Sequence, residues 1–120
     1  MMATFSKTIL SGSTDGKGIL VAETSSPGTT IHTGSSTEAT LHEVWLYAQN
    51  YDTTDRKLTI QWGGTTAGTD DIEYTVKAEN GLYLIVPGLL IKGNATPLVV
   101  RAWAATGTAI VVHGYVNVIA

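Results

Sequence analysis

Leu41-His-Glu-Val-Trp-Leu-Tyr-Ala48 decides the fold of this chain. Side chains alternate across a strand, so Leu41, Trp45 and Tyr47 share one side of it and Val44, Leu46 and Ala48 the other. Both sets are apolar, and a strand apolar on both sides needs cover on both sides. Leu82-Tyr-Leu-Ile-Val86 and Ala109-Ile-Val-Val112 are continuous apolar runs that make the same demand. A chain of 120 residues that folds alone buries only about two-thirds of its unfolded surface. The simplest resolution is that other chains supply part of the cover. The sequence therefore points to an assembling structural protein.

Outward from that stretch, strand patterns recur at close spacing. They lie near Phe5–Leu10, Gly18–Ala22, Thr29–Thr33, Thr40–Asn50, Lys57–Trp62, Ile72–Lys77, Leu82–Val86, Leu98–Ala104 and Ala109–Ile119. Asp15-Gly16, Asn80-Gly81 and Pro87-Gly88 read as turns, and Gly63 to Asp70 as a hairpin loop. No window carries a helical apolar period over three turns. The expected fold is all-β, a single antiparallel β-sandwich of about eight strands. Residues 1–38 are rich in Ser, Thr and Gly and read as an N-terminal arm or edge strands. Residues 39–120 read as the sandwich core, within one domain overall.

Two strands separate inside from outside clearly. Leu58, Ile60 and Trp62 oppose Lys57, Thr59 and Gln61, and Ile72, Tyr74 and Val76 oppose Glu73, Thr75 and Lys77. With Leu84, Val100, Val112 and Val116, the apolar sets form the expected core. Charged residues are 14 % of the chain, and the seven Lys and Arg are scattered. That leaves no electrostatic footprint for nucleic acid and no basic amphipathic stretch for a membrane surface. There is no cysteine, so disulfides and thiolate zinc sites are excluded. The start, Met1-Met-Ala-Thr-Phe-Ser-Lys-Thr-Ile-Leu10, lacks the apolar centre of a signal peptide, and no run is long enough to span a bilayer as a helix.

Candidate chemistry is sparse. His32, His42 and His113 show no His-x-His pair, so a hydrogen-bonded structural role is expected for each, with no metal and no cofactor. Asp52, Asp55, Asp70 and Asp71 sit beside strand starts, where Asp bonds nearby backbone N–H groups. No Gly-x-Ser-x-Gly elbow and no phosphate-cradling loop is present, and no enzymatic activity is expected. The aromatic residues are more informative. Trp62 and Tyr74 fall in core sets, whereas Arg101 and Trp103 stand side by side on the mixed face of their strand, a pair enriched at protein interfaces. Trp45, Tyr47, Arg101, Trp103 and Tyr115 are the candidate interface residues. Gly114 leaves room for close approach of a neighbouring chain.

Glu43-Val-Trp-Leu-Tyr-Ala, Leu58-Thr-Ile-Gln-Trp-Gly-Gly, Leu84-Ile-Val-Pro-Gly-Leu-Leu, Val99-Val-Arg-Ala and His113-Gly-Tyr-Val-Asn-Val-Ile follow one another over residues 40–119. This series resembles small all-β proteins encoded with the head and neck genes of tailed bacteriophages. The resemblance implies a virion component of the capsid decoration or cement type, with a jelly-roll-like sandwich and no active-site residues. A homo-oligomer, a trimer in the favoured form, would dock on the major capsid protein of the phage head after synthesis in the host cytoplasm. The alternative is a carbohydrate- or receptor-binding module of a tail or neck structure that uses exposed aromatics. A small cupin-type enzyme would need converging His and Glu, against which the scattered histidines speak.

Overall fold

In the computed structural model, residues 4–120 are described, and the first three residues of the expected N-terminal arm lie outside that range. The chain forms nine strands: β1 (Phe5–Ile9), β2 (Ile19–Leu20), β3 (Thr29–Thr33), β4 (Leu41–Asn50), β5 (Arg56–Trp62), β6 (Asp71–Val76), β7 (Tyr83–Lys92), β8 (Val99–Ala104) and β9 (Ile110–Ile119). They make two antiparallel sheets packed face to face, a β-sandwich without helix among the described residues. Sheet A has the order β1-β9-β4-β7, with the short β2 also on β9. Sheet B has the order β3-β8-β5-β6. Only β5 and β6 are consecutive neighbours in one sheet; β1 and β2 both belong to sheet A, and every other connection crosses between the sheets.

The alternation read from the sequence sets the core. Val44, Leu46 and Ala48 of β4, Ile110, Val112 and Val116 of β9, Leu58 and Ile60 of β5, and Val100 and Ala102 of β8 are buried between the sheets. Ile60 lies between Ile72 and Ala102 in register, so its side chain is surrounded by apolar neighbours. Full burial of such a side chain stabilises by about 1.5–3 kcal/mol relative to exposure.

The first 38 residues are both edge and core. β1 and β2 lie along successive halves of β9, and β3 forms an outer strand of sheet B. Leu10, Ile19, Val21 and Ile31 are nevertheless buried core residues. Between β1 and β2 the chain leaves sheet A and reaches β3, where the Gly12 N–H donates to the Ile31 carbonyl at 2.9 Å.

Several expectations need correction. Pro87-Gly88 is not a turn. β7 runs through it as a bulge, with a register shift in its pairing to β4, because Gly88 takes φ +77°. A Cβ on Gly88 would come within 2.8 Å of the Trp45 indole, which packs against this bare stretch of backbone. Leu84 is not core. It pairs with Tyr47 on the outward side of sheet A and is 46 % exposed. A continuous apolar run carries no alternation, so the sequence alone does not say which of its residues turn outward. Tyr74 is 37 % exposed because it lies on β6, the edge of sheet B, against Tyr83. Trp62 and Ile72 are only partly buried and pack against the core. Gly114 does admit a close neighbour, but that neighbour is β4 of the same chain, since a Cβ there would meet the Trp45 carbonyl at 2.0 Å.

Candidate interaction face

Register aligns one set of side chains across the outside of sheet A. Trp45 on β4 stands opposite Tyr115 on β9, Glu43 opposite Asn117, and Tyr47 opposite His113. β1 places Lys7 beside Asn117, Ile9 beside Tyr115 and Phe5 beside Ile119. β7 adds Leu90 beside Glu43. The alternation of β4 and β9 that sends Val44, Leu46, Val112 and Val116 inward sends these residues outward.

The centre of the face is organised. The Trp45 and Tyr115 rings are nearly parallel, with centroids 6.1 Å apart and planes 11° apart. The Lys7 ammonium sits 4.8 Å from the Tyr115 ring centroid, within cation–π range. Trp45 Nε1 and Asn117 Nδ2 both donate to Glu43 Oε1, each at 2.8 Å. These two bonds, the Trp45 one first, hold the Glu43 carboxyl below its ordinary pKa. The carboxylate thus keeps one oxygen engaged in fixing the indole and the amide. Beside it, an open groove of about 340 Å³ is lined by Phe5, Ser6, Lys7, Glu43, Asn117 and Ile119.

The rest of the face is apolar and open. Phe5 is 73 % exposed and Leu90 51 %, and Ile9 and Leu84 are exposed as well. A contiguous apolar surface of more than a few hundred Å² marks an interaction site in a soluble domain.

The five candidate interface residues fall on two opposite faces. Trp45, Tyr47 and Tyr115 are together on sheet A, while Arg101 and Trp103 lie on the outside of sheet B, opposite Gln61 and Thr59. There the chain covers itself. Ser26 Oγ donates to Gln61 Oε1 at 3.1 Å, and Gly28 approaches the Ala102 carbonyl so closely that a Cβ would meet it at 2.5 Å. As a result Thr59 and Gln61 are buried although they point away from the core. Trp103 borders a cavity of about 170 Å³ with Lys57, Thr59 and Ala105, and its Nε1 is buried without a hydrogen-bond partner.

The carboxylates behave as turn residues. Asp52 Oδ2 accepts from Arg56 Nε and a second guanidinium nitrogen, and its Oδ1 accepts from the Thr53 N–H. Asp55 accepts from the Ala78 N–H and from Lys77 Nζ. Asp70 Oδ2 accepts from the Thr66 N–H inside the β5–β6 loop. Among the described residues, no group of three or more His, Asp or Glu gathers in metal-binding geometry.

Two histidines meet where their spacing gave no sign of it. His32 Nε2 lies 2.8 Å from His42 Nδ1, joining β3 of sheet B to β4 of sheet A. His113 is different: Gly18 closes over its ring, and its Nε2 is buried without a partner. Compared with known proteins, the chain matches no family model, no curated protein and no solved structure.

Proposed function

We propose that the protein is a non-enzymatic structural component of a virion, a decoration or cement protein that works as a homo-oligomer, in the favoured form a trimer, on the major capsid protein of a phage head. The observation that carries this reading is the outer face of sheet A, where Phe5, Ile9, Leu84 and Leu90 extend an apolar surface around the Trp45–Tyr115 pair. Such a face fits cover by other protein chains. We read the interleaved sheet orders, strands 1, 9, 4, 7 against 3, 8, 5, 6, as the two Greek keys of a jelly roll, an architecture used by capsid and lectin domains. Fold alone does not assign function, so the surface carries the argument and the topology accompanies it. Several weak contacts linked in one oligomer would hold firmly through effective concentration.

Light scattering at micromolar concentration tests the oligomer, and mass spectrometry of purified particles tests the location. A monomer mass of 12.7 kDa together with absence from particles would end this reading.

A second reading is a carbohydrate-binding module. It is favoured by the groove beside Glu43, Asn117 and Lys7, which sets fixed polar groups next to the Phe5 ring. Sugar recognition uses such combinations of an aromatic wall and oriented hydrogen-bond partners. A glycan array with the Glu43→Gln variant as control distinguishes the two.

A further inference from the structure

The His32–His42 contact sits within a small network whose proton positions follow from its geometry. The Ser11 N–H donates to His32 Nδ1 at 3.0 Å, so that nitrogen is an acceptor without a proton. A neutral His32 therefore carries its proton on Nε2 and donates it to His42 Nδ1 at 2.8 Å. His42 Nδ1 is in turn an acceptor, which leaves the His42 proton on Nε2. A further proton on His32 would set Nδ1–H against the Ser11 N–H. A further proton on His42 would set Nδ1–H against the His32 Nε2–H. Either one removes a hydrogen bond and replaces it with a repulsive pair of donors.

The network is also where the chain crosses between the sheets. Ser11 Oγ accepts from the Thr33 N–H at 2.7 Å, and the Gly12 N–H donates to the Ile31 carbonyl, so residues 11 and 12 are laid along β3. A register irregularity between Thr30 and His32 lets Ile31 and His32 both be buried, which turns the His32 ring inward. His42 points inward on β4, between Ile91 and Val118 in register.

We propose that His32 and His42 form an acid-operated latch, closed at neutral pH, that fastens the 10–13 crossing and the edge strand β3 to sheet A and releases them when the pair takes up a proton. Among the described residues, the charges on the elements packed against the pair are turned elsewhere. Glu43 on β4 faces outward to Trp45 and Asn117, Lys92 on β7 is turned to Glu38, and β8 and β9 pair with β3 and β4 there through Val99, Val100 and Val118. Burial first, and the charge of His42 second, push His32 down to about 4, and burial lowers His42. The direction agrees with the hydrogen-bond argument: the closed latch excludes protons.

The test is nitrogen-edited NMR of the imidazoles, with Ser11 and Thr33 amide shifts followed from about pH 7 to about pH 4. Both rings should be Nε2–H tautomers at neutral pH, and the two amides should move in step with His32. His42→Asn keeps an acceptor near the Nδ1 position but does not titrate. Its melting temperature at neutral pH should stay near that of the wild type, while the fall on acidification should shrink to the part carried by His32, because one proton rather than two is linked to opening. A His32 that is an Nδ1–H tautomer, or that titrates as a free imidazole while the Ser11 amide stays still, overturns the latch. The wild-type spectra decide this even if the variant does not fold.

Discussion

The two outer faces of the sandwich are built from the same alternating strands and end differently. On sheet B the outward residues of β5 and β6 are polar and matched, with Lys57 and Glu73 paired at 2.7 Å and Gln61 Nε2 donating to Asp71 at 3.3 Å. The 26–28 segment then lies over β5 and β8, so this side is finished by the chain itself. On sheet A the outward residues of β1, β4, β7 and β9 include Phe5, Ile9, Trp45, Tyr47, Leu84, Leu90 and Tyr115, set around the polar Lys7, Glu43 and Asn117. A polar outer face ends in water, whereas exposed apolar side chains gathered on one face are what a partner would cover. The proposed assembly rests on that difference.

The largest effect should come from the support that both faces share. Ile60→Ala leaves a cavity between the sheets, and urea unfolding should show a loss of about 2–5 kcal/mol. A loss well below that would mean Ile60 is not between the sheets, and the division into two faces would fall with it.

Next comes the face that is proposed to assemble. Leu90→Glu or Phe5→Glu adds a charge to an exposed apolar site, so stability should change by no more than about 0.5 kcal/mol. Light scattering should nevertheless show the oligomer reduced to a 12.7 kDa species. Thr75→Glu on the outside of sheet B should leave the mass unchanged. If the two sides respond alike, the contrast between them is broken.

The response to acid sharpens the comparison from inside. An unfolded imidazole titrates near 6.5, and His32 in the folded chain is held at about 4. The unfolded state therefore binds protons first. The stability from this pair is complete above about 6.5 and is lost as pH falls toward about 4. Melting temperature should fall across that window, and less steeply in His42→Asn. The smallest effect belongs to the exposed Lys57–Glu73 pair. Glu73→Gln should cost no more than about 1 kcal/mol, and less in high salt, as urea unfolding at two ionic strengths would show.

The strand pattern was legible in the sequence because period-two alternation in β5, β6 and β8 reports which face each side chain takes, and in β8 it reports burial as well. The same logic placed Arg101 and Trp103 on the outward side of β8 and Trp45 with Tyr47 on one side of β4. It failed at Leu84, where every residue is apolar, and at Tyr74, where the alternation was right but an edge strand lacks full cover. It also failed at Pro87-Gly88, because a dipeptide that suits a turn suits a bulge equally well. That Trp45 and Trp103 lie on opposite sides of the molecule follows from sheet membership, which no local pattern encodes. The His32–His42 contact was out of reach for the same reason: it depends on how β3 and β4 are assigned to different sheets and then packed.

The bulge in β7 has a consequence for how copies meet. β7 is the outer strand of sheet A and ten residues long, and such a border offers unpaired amide and carbonyl groups to any passing strand. Two register shifts and the lack of an N–H at Pro87 break that row into short pieces. Fibril-like growth by adding strand to strand is thereby disfavoured. In the proposed assembly, contacts between copies would instead use the outer face of sheet A and close into a finite oligomer rather than an endless ribbon.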